Sequence, residues 1–136
     1  MTTNATIKLA SVRIVTNELE QLIAFYTQLT GVSAVRLAPE FAEFRFDGAT
    51  LAISTERLIK QFNAGAATAA ANRSAMLELQ VDDVDAVHAQ AAAASFDCAM
   101  PPTTMPWGNR SMLLRDPDGN IVNVFSRPKA AEARAT

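Results

Sequence analysis

Few side chains in this 136-residue sequence can do chemistry on their own, and their scarcity is informative. One histidine, His88, and one cysteine, Cys98, exclude an internal disulfide and every zinc site built from Cys and His alone. His88 follows Val87 with Ala91 nearby and has no partner placed by the sequence, so it reads as a surface or half-buried helical residue. Cys98 stands at a strand entry without a neighbouring histidine to lower its pKa, and a buried, inert thiol is expected. Glu78 is the better candidate. If Leu77 and Leu79 pack against a helix, then Met76, Glu78 and Gln80 turn to the opposite face of the strand. There Glu78 could act as a general base, provided burial raised its pKa, or remain a solvated carboxylate or an ion-pair partner of Arg13, Arg45 or Arg110. The stretch TTMPWGNR (103–110) carries the only tryptophan, Trp107, between Pro106 and Gly108, with Arg110 at a strand start. A large ring can wall an apolar ligand and a guanidinium can grip an anion with two prongs. Equally, Trp107 could plug the core while Arg110 pairs with Asp116 or Asp118.

Composition narrows the setting. Apolar residues make up 49% and charged residues 19%, enough of each for a globular core with a hydrated surface. A net charge of −2 gives no electrostatic case for nucleic acid. No apolar run approaches the roughly 18 residues that span a bilayer. The opening MTTNATIKLA lacks the basic and long apolar regions of a signal peptide, and with a lone cysteine the cytoplasm is the expected compartment. The five glycines are scattered and match no phosphate-binding fingerprint.

The elements that must position these residues follow from hydrophobic period. Residues 7–16 alternate as a strand, with Val12 and Ile14 on one face. Asn17 is placed as N-cap of the next helix, with Glu20 completing a capping box. Leu19, Leu22, Ile23, Tyr26 and Leu29 form its apolar stripe, and Gly31 ends it. Strands are expected at 33–38, 41–46 and 49–54, separated by Pro39-Glu40 and Asp47-Gly48. Residues 56–73 read as a connector with a helical turn or two. The scheme then repeats about 65 residues on. A strand at 76–81 precedes a helix capped by Asp82 or Asp83, with Val84, Val87, Ala91 and Ala94 on one stripe. Strands follow near 99–103, 110–115 and 120–126, the last two joined by the turn DPDGN (116–120). Neither half is large enough to build a comfortable core alone, so a shared one is expected.

Three stretches in this order, AFYTQLTGV (24–32), LQVDDVDAV (79–87) and LLRDPDGNIVNVFS (113–126), resemble the vicinal oxygen chelate superfamily, which includes glyoxalase I, extradiol dioxygenases and bleomycin-resistance proteins. The resemblance covers residues 7–127. It implies an α+β fold in a single domain over residues 1–136: one βαβββ module at about 7–55, a connector at 56–73, a second module at 74–127 and a tail at 128–136. The modules would form a shared curved sheet around a cavity, with the helices outside.

Superfamily enzymes typically hold a divalent metal with a His or Glu near the start of each module's first strand and a carboxylate on each last strand. Those positions fall here on Ser11, Ala52, Met76 and Asn123. Hydroxyl, methyl, thioether and amide groups do not make a site for Zn, Ni, Fe or Mn, so neither a metal nor another cofactor is expected. The resemblance then points to metal-independent binding or sequestration of a small molecule. Its candidate contacts are Arg13, Met76, Glu78, Trp107, Arg110, Asn123 and Phe125. A metal-free lyase or isomerase using Glu78 as base stands as the alternative, and a catalytically silent interaction subunit as a third reading. A homodimer is the expected assembly, with neither nucleic acid nor membrane as partner.

Overall fold

The computed structural model describes residues 6–128, so the expected tail beyond Pro128 lies outside the described residues. The chain divides into two compact units between Ala71 and Asn72. Each carries a βαβββ order and one four-stranded mixed sheet, which gives the α+β class.

The first unit comprises β1 (Ser11–Thr16), α1 (Leu19–Thr30), β2 (Val35–Ala38), β3 (Phe41–Phe46), β4 (Ala49–Thr55) and α2 (Glu56–Phe62). Its sheet runs β1-β4-β3-β2, with β1 parallel to β4 and the other pairs antiparallel. The core lies under α1, where Leu22, Tyr26, Phe44 and Ile53 are wholly buried. The Tyr26 ring meets Phe25 edge-on at 4.9 Å between centroids and Phe44 at 6.0 Å. Phe25 joins the buried stripe where Ile23 was expected.

Two sequence expectations are corrected in this unit, the start of the first strand and the cap of α1. The first strand starts at Ser11 rather than Ile7, because its ladder begins at Ser11↔Thr50 while β4 itself begins only at Ala49. Ile7 and Leu9 are consequently exposed, and Val12, near the open end of an edge strand, is exposed as well. Asn17 does not cap α1. The helix begins at Leu19 with Glu18 as its N-cap and no side-chain cap bond, while the Glu18 N–H donates to the buried Thr16 Oγ1 at 2.8 Å. The helical turn or two expected in the connector is the helix α2, capped by Thr55, whose Oγ1 accepts from the Leu58 N–H at 3.1 Å. Glu40, read as a mere turn residue, anchors this cap: it accepts from Thr55 Oγ1 at 2.7 Å and pairs with Arg57.

The second unit comprises β5 (Met76–Gln80), α3 (Val84–Ala93), β6 (Asp97–Thr104), β7 (Arg110–Arg115) and β8 (Ile121–Ser126), with sheet order β5-β8-β7-β6. Asp83 is the cap of α3, its Oδ1 accepting from the Ala86 N–H at 3.2 Å. Val84 and Ala91 of the helix meet a face built from Met112, Leu114, Val122 and Val124, all buried. The strand β6 is longer than expected and slips register on both sides of Met100. It is an edge strand, which tolerates Pro101 and Pro102 because no ladder partner needs their missing N–H. Cys98, at its start, is exposed rather than buried. In the DPDGN turn the buried Asp116 carboxylate accepts from the Asp118 and Asn120 N–H groups at 2.9 Å each and from Asn120 Nδ2 at 2.8 Å, a structural role. Among the described residues no helix is long and apolar enough to cross a membrane.

Candidate functional site

The faces of the second sheet are set by its register. Glu78 pairs with Asn123 and Asn123 with Leu113; Gln80 pairs with Phe125 and Phe125 with Ser111. Paired residues project from the same side of a sheet. The opposite side carries Val122, Val124, Met112 and Leu114 and is covered by α3. Met76, Glu78, Asn123 and Phe125 therefore share one open, helix-free face, together with Leu113.

On this face Asn123 Nδ2 donates to Glu78 Oε2 at 2.9 Å. Glu78 is exposed, whereas Asn123 Oδ1 is buried and accepts no hydrogen bond. The Phe125 ring lies under the Arg127 guanidinium at 5.9 Å, and Arg127 Nε donates to Gln80 Oε1 at 3.1 Å. The arrangement is a polar pair ringed by apolar side chains, able to fix the orientation of a small ligand with one acceptor-donor contact.

None of the ion pairs considered for Glu78 forms. Arg13 donates to Asn63 Oδ1 at 2.9 Å and lies 5.2 Å over the Phe41 ring. Arg45 pairs with Glu43 at 3.0 Å. Arg110 lies on the α3 side, opposite Glu78, and binds Asp85 through Nε at 2.8 Å and Nη2 at 3.1 Å, rather than Asp116 or Asp118. That two-pronged bond holds the Asp85 carboxyl below its usual range, against a weaker opposing effect of burial. Arg110 thus does not join the other candidate contacts. Trp107 sits in the β6–β7 loop at 71% exposure, so it does not plug the core. His88 is half-buried on α3.

In the first unit, Ser11, Arg13 and Ala52 share the sheet face turned away from Phe44 and Ile53. Sequence reasoning missed Ser54 there. It is wholly buried, and its Oγ has no hydrogen-bond partner. The signal was available: Ser54 is a small polar residue ending the apolar run LAIS on a central strand. Phe41 and Asn63, which hold Arg13, were also missed.

The family's metal positions do not fit a metal in this chain. Ser11 offers a neutral hydroxyl, Ala52 no donor, Met76 a thioether and Asn123 only a neutral amide oxygen. Among the described residues no group of three His, Cys, Asp or Glu side chains could hold a metal ion.

Known proteins agree with this architecture. A solved glyoxalase/bleomycin resistance protein/dioxygenase from Nocardioides superposes with a TM-score of 0.77 at 24% identity, over 95% of this chain and 89% of its own. A family enzyme of the same description from Burkholderia phytofirmans PsJN gives 0.76 at 21% identity, over 88% and 98%. A lactoylglutathione lyase from Agrobacterium tumefaciens gives 0.70 at 21%, over 88% and 92%. At such identities these likenesses show the fold. No curated protein matches the chain. A family model does, over residues 8–124, and the chain therefore belongs to the Glyoxalase/Bleomycin resistance protein/Dioxygenase superfamily.

Proposed function

We propose that the protein binds a small, partly apolar organic molecule without a metal ion. The observation that carries this reading is the donor set at the four family positions, Ser11, Ala52, Met76 and Asn123, which lacks every carboxylate and imidazole a divalent cation would need. The open face of the second sheet supports it further, with Met76, Leu113 and Phe125 around the Glu78–Asn123 pair. The protein acts as a dimer of identical chains in the cytoplasm, an arrangement that covers exposed sheet edges. Native mass spectrometry of freshly purified protein tests all three features at once. The expected spectrum is a dimer with retained organic mass and well under one metal per chain. A full equivalent of Zn, Ni, Fe or Mn whose removal abolishes an activity would overturn the reading.

The burial expected of a general base at Glu78 is absent, since the residue is exposed; a second reading, a metal-free lyase or isomerase, is favoured by one observation: only its Oε2 is held, by Asn123. Its Oε1 is then available to take a proton from a bound substrate. Glu78→Gln keeps the shape and removes the base. Turnover in the parent that the variant loses, with binding retained, assigns the enzyme; binding with no turnover in either form assigns sequestration.

A further inference from the structure

We propose that a groove on the α3 side of the second sheet binds a small amino- or hydroxycarboxylate, at a place separate from the open face. The groove holds about 470 Å³ and is lined by Asp82, Thr104, Arg110, Ser126 and Arg127, backed by Gly108 and Pro128. That volume lies within the range of ordinary small-molecule sites, roughly 300–1,000 Å³. Thr104 and Ser126 both pair in register with Arg110, so all three side chains point to the face of Asp85 and α3, away from Glu78.

The groups there have unspent hydrogen-bonding capacity. Arg110 is neutralised by Asp85, and its Nη1 donates to Thr104 Oγ1 at 3.3 Å. Ser126 Oγ accepts from the Val84 N–H, the first residue of α3, at 3.4 Å. Both hydroxyls act there as acceptors, which leaves their protons to donate. Arg127 borders the groove, but its guanidinium turns to the open face, where Nε donates to Gln80 and the group lies over Phe125, so the guanidinium that serves the groove is that of Arg110. Asp82 has neither a hydrogen bond nor an ion pair among the described residues. The groove thus offers several donors and one uncompensated carboxylate. A phosphate or other dianion would meet Asp82 with like charge. A molecule with a carboxylate at one end and an ammonium or hydroxyl a few bonds away satisfies both: its carboxylate takes the guanidinium and hydroxyl donors, and its own donor faces Asp82.

The test is a titration of the isotope-labelled full chain, followed by amide chemical shifts, with L-alanine, L-lactate, propionate and inorganic phosphate in parallel up to about 10 mM, the weak end of the affinity scale. L-Alanine or L-lactate is expected to shift the amides of Asp82, Gly108, Ser126 and Arg127, with propionate and phosphate binding at least about tenfold more weakly, a difference of about 1.4 kcal/mol. Asp82→Asn, an exposed and nearly isosteric change, is expected to erase that preference while leaving the spectrum folded. The proposal fails if those amides stay fixed with all four compounds, if phosphate binds as well as L-alanine, or if Asp82→Asn leaves the preference intact. Shifts confined to Glu78, Leu113 and Asn123 would place the ligand on the open face and overturn it equally.

Discussion

Asn123 Nδ2 reaches Glu78 Oε2 across 2.9 Å, between two parallel strands that pair these residues directly. The Asn123 amide sets a neutral donor, rather than a second carboxylate, beside Glu78. The pair presents a carboxylate, held at one oxygen, to whatever lies on the open face.

Asn123→Asp tests that relationship. It sets two carboxylates opposite each other on adjacent strands, which costs roughly 0.2–1 kcal/mol. Repulsion raises the folded-state pKa of one of them above its unfolded value. The loss of stability is then present at neutral pH and fades as pH falls through that raised value and one carboxyl takes a proton. Melting temperatures of variant and parent should differ at pH 7.5 and converge near pH 4.5. A constant gap would mean that the two side chains are not coupled.

Acid should weaken the parent protein by the opposite route. Glu40 is held below its ordinary value of 4.5, first by its hydrogen bond from Arg57 and then by that from Thr55. Glu56 is lowered by the Ala69 N–H, and Asp85 by Arg110. A carboxyl with a depressed folded pKa contributes stability above its unfolded value and loses it as pH falls through the folded one. The melting temperature should be level between pH 6 and 8 and decline below about 4.5. All three groups are solvent-accessible, so each effect is small, and Arg57→Gln should flatten the decline rather than abolish it. A melting temperature that rises on acidification would contradict the assignment.

Much of the scaffold was legible in the sequence, for local reasons. The strands β3 and β7 have the boundaries expected from alternation, since each is closed at one end by a turn of strong chemistry, Asp47-Gly48 and DPDGN. Gly31 ends α1 in the left-handed conformation, at φ +73°. Misreadings came where a distant partner decides. Ile7 alternates well but has no strand opposite it, and Asn17 is a good cap that lost to the buried hydroxyl of Thr16. Cys98 is apolar enough for a core but sits on an edge strand whose register slips. For the candidate site, strand parity alone brings Met76, Glu78, Asn123 and Phe125 to one face. The partner of Arg110 was not readable, because Asp85 lies 25 positions away on a helix whose orientation over the sheet no local pattern specifies.

The two units are expected to unfold together. Units of about 65–70 residues bury only around 60% of the surface their unfolded chains expose, which leaves each marginal alone. Scanning calorimetry should show one transition, with calorimetric and van't Hoff enthalpies in agreement. Two resolved transitions would establish the units as separate domains.

Trp107 and Gly108 are neighbours for which opposite outcomes are expected. The Trp107 side chain is largely in water, so Trp107→Ala should change stability by no more than about 0.5 kcal/mol, the range of surface substitutions. Its fluorescence should be that of a hydrated indole, sensitive to any molecule that settles against the loop. Gly108 has φ +103°, and a Cβ added there would stand 2.9 Å from Pro128 Cγ. Gly108→Ala must therefore strain the backbone and displace the proline ring, at a cost of about 1–3 kcal/mol. The clash reaches a residue 20 positions along the chain, so the loss reflects the closure of the loop against the segment after β8 and not a local turn preference alone. Chemical denaturation of both variants decides the matter. A stable Gly108→Ala would show that the loop is free to move off Pro128, and a destabilised Trp107→Ala would show that the indole packs as part of the core.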